Sequence, residues 1–352
     1  DVVVGEGQSL GCSLGFGGPY LGIFAAKKDY LLEMPGRLIG KTKEKHGDKE
    51  GFIVTLATRE QHIKREKATS NICTNEALLC VGSAVWMSLY GKKGMRELAE
   101  QNLAKAQYAK RQFYRLNDDA FDIRFSGCTF NEFVVRSKKY PVPKLLNKLA
   151  SKGIFGGIHL GRWYEKLDNC FLVCATEMAT RENIDRLMNT IADITQSYCG
   201  PELPTLDVMA KEPRVEVVSK QKSKATGTPV GLAFLEPLIF ERSGSGKYGV
   251  DLSELDVPAY PPDHLLPLTA VRADIAGFPE VSEPEVAKHF VRLSLLNMSI
   301  ETTTLYPLGS CTMKDNPRFH EDIARLPPFA GMHPFAPQSA VQGSLTVLWH
   351  LE

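Results

Sequence analysis

Residues 199–236 constrain the fold more than any other feature, because periodic patterning stops there and resumes afterwards. Pro201, Pro204, Pro213 and Pro229 punctuate the stretch, and the basic run KQKSKATGTP occupies its second half. Proline fixes φ and removes a backbone donor, so such a stretch continues neither a helix nor a central strand. It reads as a linker. The chain therefore divides into a part before 199 and a part after 236. With 352 residues, 43% hydrophobic and 24% charged, it is long enough to give each part a core.

Residues 1–30 read as a strand (DVVV), a glycine-rich loop (GEGQSLGCSLGFGGP) and a second strand (YLGIFAA). The charged run KTKEKHGDKEG reads as an exposed loop. Residues 75–116 have helical periodicity, through Leu78, Leu79, Val81, Leu103, Ala106 and Phe113, and Gly91 and Gly94 split them into two helices. FNEFVVRS is a strand, Pro141-Val-Pro opens a helix that Gly153 closes, and CFLVCAT is another strand. Thr180 then caps a helix bearing Ile184, Leu187, Ile191 and Ile194. This order describes a small α+β unit over 120–198, appended to a larger α/β one. After the linker, SGSGKYG is a flexible turn and LDVPAYPPDHLLP is extended, until the capping box Ser282–Glu285 starts a helix.

The charge balance, 42 Lys plus Arg against 41 Asp plus Glu, supplies no excess cation for nucleic acid or an anionic membrane. There is no secretory h-region and no apolar run of 18 residues, which points to a soluble, reducing compartment. The eight cysteines lack zinc-ribbon spacing, and no metal site is expected. Cys170 and Cys174 share one face of their strand and read as small buried hydrophobes. Glu241 and Tyr248 spoil SGSGKYG as a phosphate loop, and Gly5-Glu-Gly7 lacks the third glycine of a dinucleotide fingerprint. Asp1 opens within an apolar run and Glu352 closes an amphipathic one, so both ends read as cut.

Three segments carry candidate chemistry. Gly15, Gly17 and Gly18, before Pro19, allow positive φ and close approach of another chain or a ligand, or simply make a turn. Arg59, His62, Lys64, Arg65 and Lys67 precede the polar turn Thr69-Ser70-Asn71 and a helix. That pattern binds anions, unless the cations are only a solvated face. YPLGSCTMKDNP, residues 306–317, gathers Tyr306, Ser310, Cys311, Thr312, Lys314 and Asn316 around Gly309, a set able to bind a carboxylate or phosphate from a loop. Cys311 has no nearby histidine to make it a nucleophile.

Together these segments resemble the glycine dehydrogenase (decarboxylating) P-protein family. VVGEGQSLG, FGGPYLGIFA, MPGRLIG, GFIVTLATREQHIKREKATSNICTNEAL and FNEFVVR are similar to the C-terminal part of its α-type half, subunit 1. LIFERS, GVDLSELDVP, FPEVSEPEVAKHFVRLS, YPLGSCTMKDNPRFHEDIARLP, HPFAPQSAVQGSL and LWHLE are similar to the start of its β-type half, subunit 2. The resemblance implies a fold-type I, pyridoxal-phosphate-dependent, transferase-like α/β fold with a mostly parallel sheet. On this reading residues 1–119 end the large domain, 120–198 form its small α+β domain, 199–236 link, and 237–352 make a partly extended, helical head of the second half. The α-tail and β-head are joined by a fusion or by read-through.

The implied reaction is decarboxylation of glycine on pyridoxal phosphate, with the aminomethyl group passing to the lipoyl arm of the H-protein. The implied partners are the missing parts of both halves, as an αβ dimer or a dimer of such dimers. The compartment would be the cytoplasm in bacteria or the mitochondrial matrix in eukaryotes. The family's cofactor lysine lies in a His-Lys loop, and no His-Lys dipeptide occurs here. Counting back from Gly17-Gly18-Pro19 places Gln8 near that position, with His62 and Arg65 as further loop candidates. Ser310, Thr312 and Lys314 would hold anionic groups of substrate or cofactor. The competing reading is a non-catalytic assembly module that buttresses a catalytic half on another chain. An aminotransferase-like enzyme of the same fold type would need its own lysine motif, and none is visible.

Overall fold

The computed structural model describes residues 1–43, 45–47, 50–68, 77–116, 119–196, 236–272, 274–297 and 318–352. They form a mixed helix and sheet protein in two compact units, one of Asp1–Met87 with Asn316–Pro334, the other of Ser88–Asp315 with Phe335–Glu352.

The first unit opens with two antiparallel hairpins. Strand β1 (Val2–Glu6) pairs with β2 (Gly22–Ala26), with Val4 opposite Phe24. The apolar strands flanking the glycine loop therefore pair as neighbours. Strand β3 (Leu38–Lys43) pairs with β4 (Glu50–Thr55), and Lys41 reaches Glu50 at 2.6 Å. The charged run 41–51, expected as a loop, thus supplies strand ends. Its opposite charges meet across the ladder, while Ile39 and Ile53 carry the strand character. A four-residue helix α1 (Gln61–Lys64) follows, then the long helix α2 (Ala77–Arg115), which enters the second unit. Helix α2 breaks at Gly91 alone, where φ is 59° and a side chain would stand 3.2 Å from the Pro279 carbonyl. Only glycine adopts that conformation cheaply. Gly94 remains helical.

The second unit holds the best-packed core. Strands β5 (Phe121–Ile123), β6 (Glu132–Ser137), β7 (Ile158–His159) and β8 (Cys170–Cys174) form one sheet in the order β5-β6-β8-β7, with antiparallel neighbours throughout. Helix α3 (Val142–Ser151) carries the chain from β6 to the parallel strand β7, and β8 returns between them. Alternation places Phe133 and Val135 of β6, with Phe171 and Val173 of β8, on the buried face. Val142, Leu145 and Leu149 of α3 close over that face. Ile184, Met188 and Ile191 of helix α4 (Arg181–Thr195) do the same. Thr180 caps α4 as expected, accepting the Asn183 amide at 3.2 Å, and Gly153 ends α3 with φ at 72°. The core also takes Tyr108, Ala109, Phe113 and Leu116 from α2, so the α+β packing begins well before residue 120.

Every ladder among the described residues is antiparallel, so the mostly parallel sheet implied by the resemblance is not among them. Cys170 and Cys174 share a strand face, but it is the one opposite the helices, across from Arg136 and Glu132. Cys170 is buried as expected, but Cys174, at the end of the strand on the face without helices, is exposed. Partial burial, followed by the Glu132 and Glu177 carboxylates, pushes the Cys174 thiol up to about 11, which leaves it a poor nucleophile.

Most of the expected linker lies outside the described residues. Its last residue, Glu236, is half-buried, with its carboxylate side chain turned inward among Arg242, His289 and Arg292. Beyond it come α5 (Pro262–Leu265), α6 (Glu283–Ser294), α7 (Arg318–Ala324), α8 (Pro327–Ala330) and α9 (Gln342–Leu351). The turn at 243–248 is pinned rather than flexible. Gly244 N–H donates to the Glu280 carbonyl, Gly246 N–H donates to the Glu280 carboxylate, and Lys247 reaches Glu285 at 2.6 Å. Glu285 also accepts the Ser282 amide and hydroxyl, as the capping box requires. The Lys247 hydrogen bond first, then those from Ser282, hold its carboxyl down at about 2. That contribution is therefore complete above the ordinary value of 4.5 and is lost as pH falls from there towards 2. Glu285→Ala should cost about 1 kcal/mol at neutral pH and flatten the acid limb, as followed by urea unfolding at several pH values.

Candidate functional site

The glycine-rich loop between β1 and β2 is built from backbone approaches that side chains would block. Gly7 N–H donates to the Leu21 carbonyl at 2.6 Å. At Gly11, with φ at 92°, a Cβ would fall 2.6 Å from the Trp86 ring. Gly17 and Gly18 have φ of 108° and 143°, as the expectation of positive φ required. The close approach expected there is to protein: Phe16 N–H donates to the Met332 carbonyl at 2.9 Å, and Gly17 would carry a Cβ 3.5 Å from Pro334. The segment ending α8 therefore backs this loop. Sequence reading missed Gly11, since the tryptophan that demands it lies 75 residues away.

Gln8 stabilises its own turn. Its side-chain amide donates to the Cys12 carbonyl at 2.6 Å, its backbone N–H donates to Glu6 at 3.0 Å, and its carbonyl accepts the Cys12 amide. The basic run is divided. Arg59 donates to the carbonyls of Leu31, Leu32 and Gly36, so its guanidinium clamps a turn. His62 and Arg65 are exposed, one on a four-residue helix and the other just past it at φ 52°. The polar turn and helix start that would complete an anion site, 69–76, lie outside the described residues. So does the whole of 306–316, with Tyr306, Ser310, Cys311, Thr312, Lys314 and Asn316. Among the described residues, no cluster of His, Cys, Asp or Glu is placed to hold a metal, and no helix is long and apolar enough to cross a membrane.

The family model described as glycine cleavage system P-protein matches residues 1–191. The chain belongs to this family. Among curated relatives, the "Probable glycine dehydrogenase (decarboxylating) subunit 1" of Solibacter usitatus is 50% identical over 210 residues, 60% of this chain and 43% of the relative. The protein of the same name from Bacillus cytotoxicus is 48% identical over 194 residues, 55% of this chain and 42% of the relative. A crystal structure of glycine decarboxylase (P-protein) of the glycine cleavage system, in inhibitor-bound form, aligns with a TM-score of 0.50 and 34% identity. That alignment covers 55% of this chain and 43% of the other. The chain spans less than half the length of these relatives.

P-protein membership raises the question of pyridoxal phosphate, and the described loop does not fit it as a covalent holder. A carboxamide cannot form an imine, and that of Gln8 is already engaged with the Cys12 carbonyl. No chemical step is therefore assigned to Gln8.

Proposed function

We propose that this chain is part of a glycine decarboxylase whose pyridoxal phosphate is carried elsewhere in the complete assembly. Its reaction would be decarboxylation of glycine with transfer of the aminomethyl group to the lipoyl group of the H-protein. The observation that carries this reading is the family match over residues 1–191, which joins the chain to proteins named as glycine dehydrogenase (decarboxylating) subunits. The name subunit 1 favours a partner subunit, and the motifs of 237–352 resemble the head of that partner. A fold-type I architecture is part of the same reading.

The engaged Gln8 amide favours a supporting role for the first half. It shapes the assembly while cofactor chemistry proceeds on the other half. Titrating pyridoxal phosphate into the purified chain should give no visible imine band beyond that of free cofactor. Adding a subunit 2 type partner that contains the His-Lys loop should produce the band, together with exchange of the glycine carboxyl with bicarbonate. A band with the chain alone, trapped by borohydride on one of its own lysines, would overturn the supporting role. No exchange in a mixture completed with the rest of subunit 1 and a lipoylated H-protein would overturn the decarboxylase reading.

A further inference from the structure

The second compact unit contains an extended segment, residues 253–260, with no helix or strand of its own. We propose that the α+β packing presents a docking groove for such a segment, of the form acidic, apolar, aromatic. We further propose that the same contact joins the two halves of the enzyme when they are separate chains. This rests on the reading of residues 237–352 as the head of the second half, and deepens it by naming the surface where the halves meet.

Three kinds of contact hold the segment. The first is charge. One Asp256 carboxylate oxygen accepts the Arg181 amide at 2.7 Å, at the first turn of α4, where the helix dipole favours an anion. The other lies 3.3 Å from Lys105, whose side chain is only 6% exposed and which also donates to the Glu177 carbonyl. Burial opposes ionisation of Asp256, yet the Arg181 amide and Lys105 together outweigh it and hold the carboxyl below its ordinary value. The second contact is apolar. Val257 and Tyr260 are 6% and 8% exposed and belong to the same cluster as Phe113, Phe133 and Phe171. The third is orientation. Arg111 donates to the Tyr260 hydroxyl at 3.3 Å with its guanidinium over that ring, and Gln101 donates to the Ser253 carbonyl at 2.7 Å.

Without the segment, buried Lys105 would lose the Asp256 carboxylate, the first turn of α4 would lose that anion, and the apolar cluster would lose Val257 and Tyr260. Such a surface requires an occupant, and an unpaired buried charge makes a poor free state. The segment suits the task because Pro258 within it, and Pro261 and Pro262 just after it, restrict its free conformations, which lowers the entropy lost on docking. Its aromatic anchor, Tyr260, is of a type enriched in interface hot spots.

The test is complementation in trans on the full chain. Substituting Asp256→Ala and Tyr260→Ala together should release the segment, and a fluorescein-labelled peptide of residues 250–262 should then bind the variant saturably. Wild type should bind it at least about tenfold more weakly, because its own segment competes. A peptide bearing the same two substitutions should fail. Equal binding to wild type and variant, or no binding to a variant whose β6 and β8 amides remain protected, would overturn the proposal. If the double variant unfolds, Asp256→Ala alone decides, because it removes the acceptor of the Arg181 amide. Exchange of the Arg181 amide should rise by about tenfold or more, and an unchanged rate would show that the contact holds nothing. None of these readouts involves cofactor or glycine, so the docking and the decarboxylase reading can fail separately.

Discussion

Replacing Glu236 with alanine should destabilise the second compact unit by about 3 kcal/mol, since it strips a buried carboxylate from the cations gathered around it. The Glu236 side chain is 1% exposed. It accepts from Arg242 Nε at 2.8 Å and Nη2 at 2.5 Å, lies 2.9 Å from His289 Nδ1, and faces Arg292 at 3.5 Å. His289 is itself buried, so it cannot turn to water when its partner is lost. Arg242 and Arg292 keep more solvent contact, which is why the expected loss falls at the low end of the range for a broken buried pair. Burial opposes ionisation of Glu236 most strongly, but the hydrogen bonds from His289 and Arg242 outweigh it and set its carboxyl below the ordinary 4.5. Its stabilisation is therefore complete above 4.5 and is lost as pH falls through the lower, folded value. Glu236→Gln keeps the shape and part of the hydrogen bonding, so it should lose less at neutral pH and show a flatter acid limb. Urea unfolding, paired with hydrogen exchange of the α6 amides, measures both. A change under about 0.5 kcal/mol for the alanine variant would mean that the cluster contributes no more than a surface pair does.

That cluster marks where sequence reading ended. Features whose partners lie within a few residues were legible: Thr180 with Asn183, Ser282 with Glu285, the turn glycine at 153, and the strands FNEFVVRS and CFLVCAT, although it is Phe171 and Val173, and not the face of Cys170 and Cys174, that turn to the helices. Each is set by local periodicity or by one hydrogen bond of short reach. Features whose partners lie far along the chain were not legible. Glu236 and His289 are 53 residues apart, Asp256 and Arg181 75 apart, and Gln101 and Ser253 152 apart. The turn at 243–248 shows the same limit. Its glycines and serines suggested mobility, whereas Glu280 and Glu285, more than thirty residues on, hold it in place. At the candidate site, motif similarity pointed to Gln8 and the glycine loop. That similarity already cast Gln8 as a residue unable to form an imine, and its side chain is engaged within its own turn.

Phe113→Ala should be the most damaging apolar change, at about 4 kcal/mol. The Phe113 ring is 1% exposed and meets Phe121, Phe133 and Phe171 edge-on at 6.3, 6.0 and 6.0 Å, so truncation forfeits three aromatic contacts and opens a cavity between helix and sheet. Phe113→Leu keeps most of the volume and should lose about 1–2 kcal/mol. The consequence extends beyond stability, because Val257 and Tyr260 pack in the same cluster and Arg111, which holds Tyr260, lies two residues before Phe113 on α2. A cavity there should loosen the docked segment before the sheet itself opens. Hydrogen exchange at 253–260 should therefore rise in Phe113→Ala under conditions where the β6 and β8 amides are still protected, and should stay near wild type in Phe113→Leu. If both regions instead open together in the alanine variant, the segment is one cooperative piece of the core, and it could not be supplied by a separate chain without the unit unfolding first.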